Sequence, residues 1–311
     1  MVGTEKWTHA GMEGWEYIPP IETQLIRSKN VTQTFKVQVL RPAQKRGERL
    51  TFPVVYITDG NVSFDMLKGI SYILQSSGRD TPRFILVGVG YPSDCPRAGV
   101  VLRVRDLTFP GYPRLSTRPP PTEGVLLPEE GTKDLYGAED FQRFIAEELI
   151  PLIDEKYETI PDDRTYFGHS AGGGFGLFTL FTKSDLFKNY IISSPGLIFH
   201  GESSAGTHYD DHDFALQDAR RFIASGRSLH GVRVYMSVGA DEEFEPALEQ
   251  WRLTSSFYRM VALLRAAEIP GLQLMTEVFP GETHATAWAL AFIHGVQAML
   301  GKGTRREKIL A

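Results

Sequence analysis

Cysteine is all but missing. Cys95 is the only one among 311 residues, so no internal disulfide can form and no cysteine-based metal or redox motif exists. Charge of one sign is lacking as well. A formal net charge of −5 gives no basic face for nucleic acid or for an acidic membrane. Long apolar runs are absent. The nearest, 285–300, is too short to span a bilayer and contains His294 and Gln297. Residues 1–7 show no basic stretch leading into an apolar one, as a signal peptide would, so the expected location is cytoplasmic. No internal repeat is present, which sets repeat architectures aside.

What the chain has is alternation. Runs 34–40, 53–57, 83–89, 164–167, 190–193, 232–238 and 272–279 are rich in Val, Ile, Leu and aromatics and read as strands. Runs 64–74, 139–156 (interrupted near Pro151), 175–181, 214–224, 248–267 and 285–300 read as helices. Continuously apolar strands alternating with helices predict an α/β fold with a mostly parallel sheet covered on both faces. In such sheets ligands bind beyond the carboxyl ends of the strands. Length and composition suit one domain over 1–311. The segment 1–33 is read as irregular, and 302–311 as a C-terminal tail. The stretch 91–137, rich in Pro, Gly and Arg, is read as a lid-like insertion over the site. A second irregular stretch covers 195–213.

Gly168-His169-Ser170-Ala171-Gly172 is a G-x-S-x-G motif between a β-prone run and an apolar helical run. Strand, tight turn and helix in that order form a nucleophile elbow, which holds a serine hydroxyl out towards an acyl carbon. The glycines permit close approach of strand and helix. The helix beginning after Ser170 points its amides at a developing oxyanion.

Such a serine needs an acid and a histidine later in the chain, each just after a strand. His284 follows the strand 272–279 and precedes a helix. Imidazole suits a general base, because its unperturbed pKa of about 6.5 lets it take and return a proton near neutrality. The strand 232–238 ends in Gly239-Ala240-Asp241-Glu242-Glu243, where one carboxylate can orient the imidazole. Many hydrolases place the acid three residues after this glycine. That selects Glu242, with Asp241 as the alternative, while Glu243 is read as starting or capping the next helix.

The remaining histidines have plainer readings. His169 packs beside the elbow, where it is also a candidate substrate contact. His294 is a core or interface residue, and His9 and His230 belong to the surface. His208-Tyr209-Asp210-Asp211-His212 lacks a recognised ligand spacing and is read as a polar loop, so no metal site is expected.

With these residues in place, the chain resembles the Putative esterase family of α/β-hydrolases, which includes esterase D, siderophore esterases, feruloyl esterases and mycolyltransferases. The likeness spans about 34–300. It is carried by 54–60, 103–110, 168–173 and 279–284, and it is nearest to the siderophore-esterase branch, whose Gly-x-x-Glu segment matches Gly239 to Glu242. The resemblance implies Ser170 as nucleophile, His284 as base and Glu242 as orienting acid. It implies an oxyanion hole from the amides of Ala171 and of Gly60 or Asn61. It also implies that Arg103 or Arg105 binds substrate or braces its loop, with an ion pair to Asp106 as the plain alternative. After Ser194-Pro195 the tryptophans common in the family are missing, and the insertion at 110–135 is longer, which points to a different acyl or alcohol pocket.

The expected activity is hydrolysis of a small-molecule carboxylic ester through an acyl-enzyme, with no metal or organic cofactor. The alternatives are acyl transfer on the same triad and a catalytically silent binding protein of this fold.

Overall fold

A computed structural model describes residues 20–43, 50–76, 81–92, 96–109, 137–197, 214–246, 248 and 251–301, with backbone alone at 96–101 and 214–215. Eight strands form one sheet. They are β1 (Glu22–Arg27), β2 (Thr34–Leu40), β3 (Phe52–Ile57), β4 (Ile85–Gly90), β5 (Thr159–His169), β6 (Asn189–Ser193), β7 (Arg233–Gly239) and β8 (Gln273–Phe279). Their spatial order is β1-β2-β4-β3-β5-β6-β7-β8. The pairs from β4 to β8 are all parallel, whereas β2 runs antiparallel to both its neighbours.

Alternate residues of each central strand enter opposite layers. Val54 and Tyr56 join one apolar cluster with the helices α3 (Ala138–Phe144), α4 (Ile150–Lys156), α5 (Ala171–Thr182), α6 (Phe214–Ala224) and α7 (Leu253–Ala266). Val55 and Ile57 join the other, with α1 (Gly60–Ser76) and α8 (His284–Leu300). The period of two along a strand makes this division, and burial on both faces explains why β3 and β4 are apolar throughout. Among the described residues no helix is long and apolar enough to cross a membrane.

Three local readings change. The segment read as irregular over 1–33 contains β1, an edge strand. Its exposed face and adjacent Leu25 and Ile26 give no alternation to read. Part of the stretch read as an insertion is helical, namely α2 (Pro96–Leu107), whose mean hydropathy and lack of an apolar stripe hide it. Residues 110–136, like 198–213 with the His208–His212 cluster and like the tail from 302, lie outside the described residues. The interruption expected near Pro151 is a single π-helical turn, Ile145–Leu149, joining α3 to α4. The Ile150 amide reaches Ile145 O, five residues back, and Pro151, next in the chain, has no N–H to donate.

Candidate active site

The carboxyl ends of β3, β5, β6, β7 and β8 face one edge, and the sequence-derived residues collect there. Ser170 lies between β5 and α5 with φ 60° and ψ −122°. A side chain in that region costs on the order of 1–3 kcal/mol and persists only when its surroundings hold it. Here they do: Ser170 N donates to Ser193 O at 3.0 Å, and Ser170 O accepts from Gly174 N and Gly196 N, each at 3.0 Å. The adjacent glycines are demanded by contact. A Cβ at Gly168 would overlap Gly172 O, and one at Gly173 would stand 2.7 Å from Ser193 O.

His284 opens α8, and its Nδ1 lies 2.7 Å from Glu242 Oε2. Glu242 begins a short 3-10 turn after β7 (Glu242–Phe244) and is fully buried at 0% exposure. Its other oxygen, Oε1, accepts from Ser194 Oγ and from Gly239 N, both at 2.6 Å. A buried carboxylate is tolerable only when its oxygens are satisfied in this way. The imidazole is also fixed from its backbone, since His284 N donates to Glu245 Oε1 at 2.6 Å. Its side chain retains 18% exposure. Asp241 is exposed and donates its amide to Glu282 O. Glu243 accepts from Ser255 N at 2.8 Å in the first turn of α7, which is the capping role expected of it.

His169 ties the serine to the histidine. Its ring lies 4.3 Å from that of His284 and stacks on Trp288 at 4.5 Å. At 2% exposure it packs beside the elbow against His284 and Trp288, which leaves little surface for a substrate contact. Its Nδ1 shares a 2.9 Å bond with Ser193 Oγ. Burial first, then the nearby His284 and Arg103, hold its pKa well below the usual histidine value. Above about pH 6.5 the ring is neutral in folded and unfolded chains alike. Below that, the unfolded chain takes a proton that the folded chain refuses. Stability therefore falls as pH drops from 6.5 towards the folded value, by up to about 1.4 kcal/mol per pH unit. His169→Gln should lose this slope. Urea unfolding of both proteins at pH 7.5 and 5.5 checks it, and parallel pH dependences would refute it.

Beside the elbow stands a second helix start. β3 and β5 are parallel neighbours with Ile57 opposite Phe167, so Gly60 and Ser170 lie equally far beyond the paired ends. Asp59 O accepts the amides of Val62 and Ser63, which leaves those of Gly60 and Asn61 without a helical acceptor. The Ala171 amide at the head of α5 is likewise unclaimed by its helix. Two amide-bearing helix ends thus converge near Ser170, the arrangement that stabilises an anion. The Asn61 side chain is engaged elsewhere, donating Nδ2 to Tyr91 O at 2.6 Å.

The two arginines separate. Arg105 donates Nε to Asp106 Oδ1 at 2.7 Å, and its guanidinium also reaches Gln33. This is the plain alternative, an ion pair with Asp106. Arg103 turns to Asp59, pairing Nε with Oδ1 and Nη2 with Oδ2, the latter at 3.0 Å. Sequence reasoning missed this pair, together with Ser194 and Glu245. Ser194 had a signal in its Ser-Pro pair, but Glu245 had none. Among the described residues no group of His, Cys, Asp and Glu is placed to hold a metal.

Strand order, elbow and helix layers define an α/β-hydrolase. The Putative esterase family model matches residues 127–299, more than half of the chain. Ferri-bacillibactin esterase BesA of Bacillus subtilis (strain 168) is 33% identical over 284 residues, covering 89% of this chain and 88% of that protein. The siderophore enterobactin esterase of Emericella nidulans is 29% identical over 201 residues, 61% of this chain and 58% of its own. The solved structure of siderophore hydrolase EstA from Aspergillus nidulans superposes with a TM-score of 0.68 at 22% identity, covering 91% of this chain and 95% of EstA, a likeness of fold. This chain belongs to the Putative esterase family, and it is a carboxylic ester hydrolase.

Proposed function

We propose that the protein hydrolyses the ester bonds of a siderophore through an acyl-enzyme on Ser170. The observation that carries the chemistry is the fully buried Glu242 bonded to His284 Nδ1 at 2.7 Å beside a serine in elbow geometry. A carboxylate on Nδ1–H leaves Nε2 as the acceptor for the Ser170 proton. Ser170 Oγ then adds to the ester carbonyl. The oxyanion is held by the amides of Ala171 and of Gly60 or Asn61, each worth about 3 kcal/mol of barrier. The tetrahedral adduct collapses as Nε2–H gives its proton to the departing alkoxide, which leaves as an alcohol. Water adds to the acyl-enzyme while Nε2 takes its proton, and collapse returns that proton to Ser170 and frees the carboxylic acid. Glu242 stays ionised throughout and stabilises the imidazolium.

The substrate class rests on the relatives, whose names specify siderophore esters. Bacillibactin and enterobactin, each with and without ferric ion, are the substrates to offer, with p-nitrophenyl esters of graded chain length as controls. Mass spectrometry of the products is expected to show ester cleavage, with kcat/KM at least tenfold above that for the simple esters. Rapid turnover of simple esters with intact siderophores would overturn the substrate class and leave the hydrolase standing.

A further inference from the structure

We propose that Arg103 sets the oxyanion site through Asp59, as a positioning residue for the reaction and not as a substrate anchor. The inference rests on the reading of Ser170 and the helix starts given above. Asp59 is one of six non-glycine residues with positive φ among those described, at 59°. Three of the six, Asp59, Ser170 and Ser194, directly follow or lie just beyond the carboxyl ends of the adjacent strands β3, β5 and β6. Ser170 bears the hydroxyl and Ser194 holds Glu242, so strain at this edge marks parts of the site. Asp59 is the third, and it needs an equivalent reason.

Arg103 supplies what holds it. The Asp59 side chain is 4% exposed and that of Arg103 30%. The planar guanidinium meets the carboxylate through two parallel bonds, which fix orientation as well as distance. The same residue's carbonyl receives the Val62 and Ser63 amides and so starts α1. Rotating Asp59 therefore rotates the amides of Gly60 and Asn61. Its carboxylate also borders the elbow, because a Cβ at Gly172 would lie 3.4 Å from Asp59 Oδ2. One side chain thus touches both helix starts that would face the oxyanion.

A second tie supports the role. The Asn61 amide group clasps the backbone of Tyr91, whose hydroxyl donates to Asp106 Oδ2 at 3.0 Å. Asp106 and Arg103 both belong to α2, so that helix grips the β3–α1 loop on two sides. The Nε–Nη2 edge of Arg103 is wholly committed to Asp59, so that edge holds protein and not ligand.

The test is a double-mutant cycle with Arg103→Gln and Asp59→Asn in the full chain, on one neutral and one anionic ester. Each single variant is expected to lower kcat roughly 10- to 100-fold with KM within twofold on both esters, since small misplacement of oxyanion donors acts on the transition state. The double variant should be no slower than the slower single. Affinity for an arylboronic acid, a tetrahedral anion mimic, should fall in step with kcat/KM, while Arg103→Lys recovers part of the loss. Unfolding curves establish that each variant is folded, and Asp59→Asn carries the test if Arg103→Gln is not. A raised KM confined to the anionic ester would make Arg103 a substrate anchor and overturn the inference, as would additive losses or an unchanged kcat. If Ser170→Ala retains full turnover, the reading of the site fails first. If Ser170→Ala is inactive and Arg103→Gln is not impaired, only this inference fails.

Discussion

Ser170→Ala is expected to lower kcat by about 10⁵- to 10⁶-fold, the scale seen when the nucleophile is removed from a serine triad, with denaturant unfolding essentially unchanged. The second half of that expectation comes from the backbone. Alanine and serine both carry a Cβ, so the cost of φ 60° is the same for each. The bonds that hold the turn, from Ser170 N to Ser193 O and from Gly174 N and Gly196 N to Ser170 O, use main-chain atoms only. Nearby hydroxyls offer no substitute, because Ser193, Ser194 and Ser237 are fully buried. A fluorophosphonate probe should label wild type at Ser170 and leave the variant unlabelled. Turnover by Ser170→Ala within tenfold of wild type would exclude Ser170 as the nucleophile.

How far the site could be read beforehand depended on whether each piece carries a local signature. The elbow does, because Gly172 O, Thr58 Oγ1 and Ser193 O leave no room for a Cβ at 168, 172 and 173 respectively. His284 was legible from its place between an apolar strand and an apolar helix. The central strands β3 and β4 were legible because burial on both faces leaves them apolar throughout. The edge strand β1 was not, since water accepts nearly any side chain on its outer face. Its polar content serves contacts far away in sequence, such as Glu22 with Lys156 at 2.9 Å. Arg103 as partner of Asp59, Ser194 as partner of Glu242 and Glu245 as partner of His284 were illegible, because each pair lies far apart in the chain. Arg103 lies 44 residues from Asp59, and Ser194 lies 48 from Glu242. Such pairings are made by strand order, and no spacing along the chain announces them.

The choice between Asp241 and Glu242 had a spacing argument in its favour, and the geometry turns it into a sharp experiment. Glu242→Gln should reduce kcat by about 10⁴-fold, the order found when a triad carboxylate becomes an amide, whereas Asp241→Asn should change it less than twofold. Shape is not the cause, since Gln matches Glu in volume. The cause is the polarity of each bond. Gly239 N–H can only donate, so the atom at the Oε1 position must remain an acceptor. The amide carbonyl therefore takes that place, and the NH₂ group falls 2.7 Å from His284 Nδ1, where the second carboxylate oxygen was. An NH₂ there donates to Nδ1 and forces the imidazole proton onto Nε2. His284 then presents a donor to Ser170 and cannot accept its proton. Flipping the amide instead sets NH₂ against N–H in a fully buried site, at a cost of roughly 1–3 kcal/mol. Asp241, exposed and without a side-chain bond to the imidazole, has no such lever. Steady-state kinetics of the two variants decide the matter, and NMR of the imidazole protons reads the tautomer directly. A loss below tenfold in Glu242→Gln, or a larger loss in Asp241→Asn, would mean that the imidazole is oriented by another group.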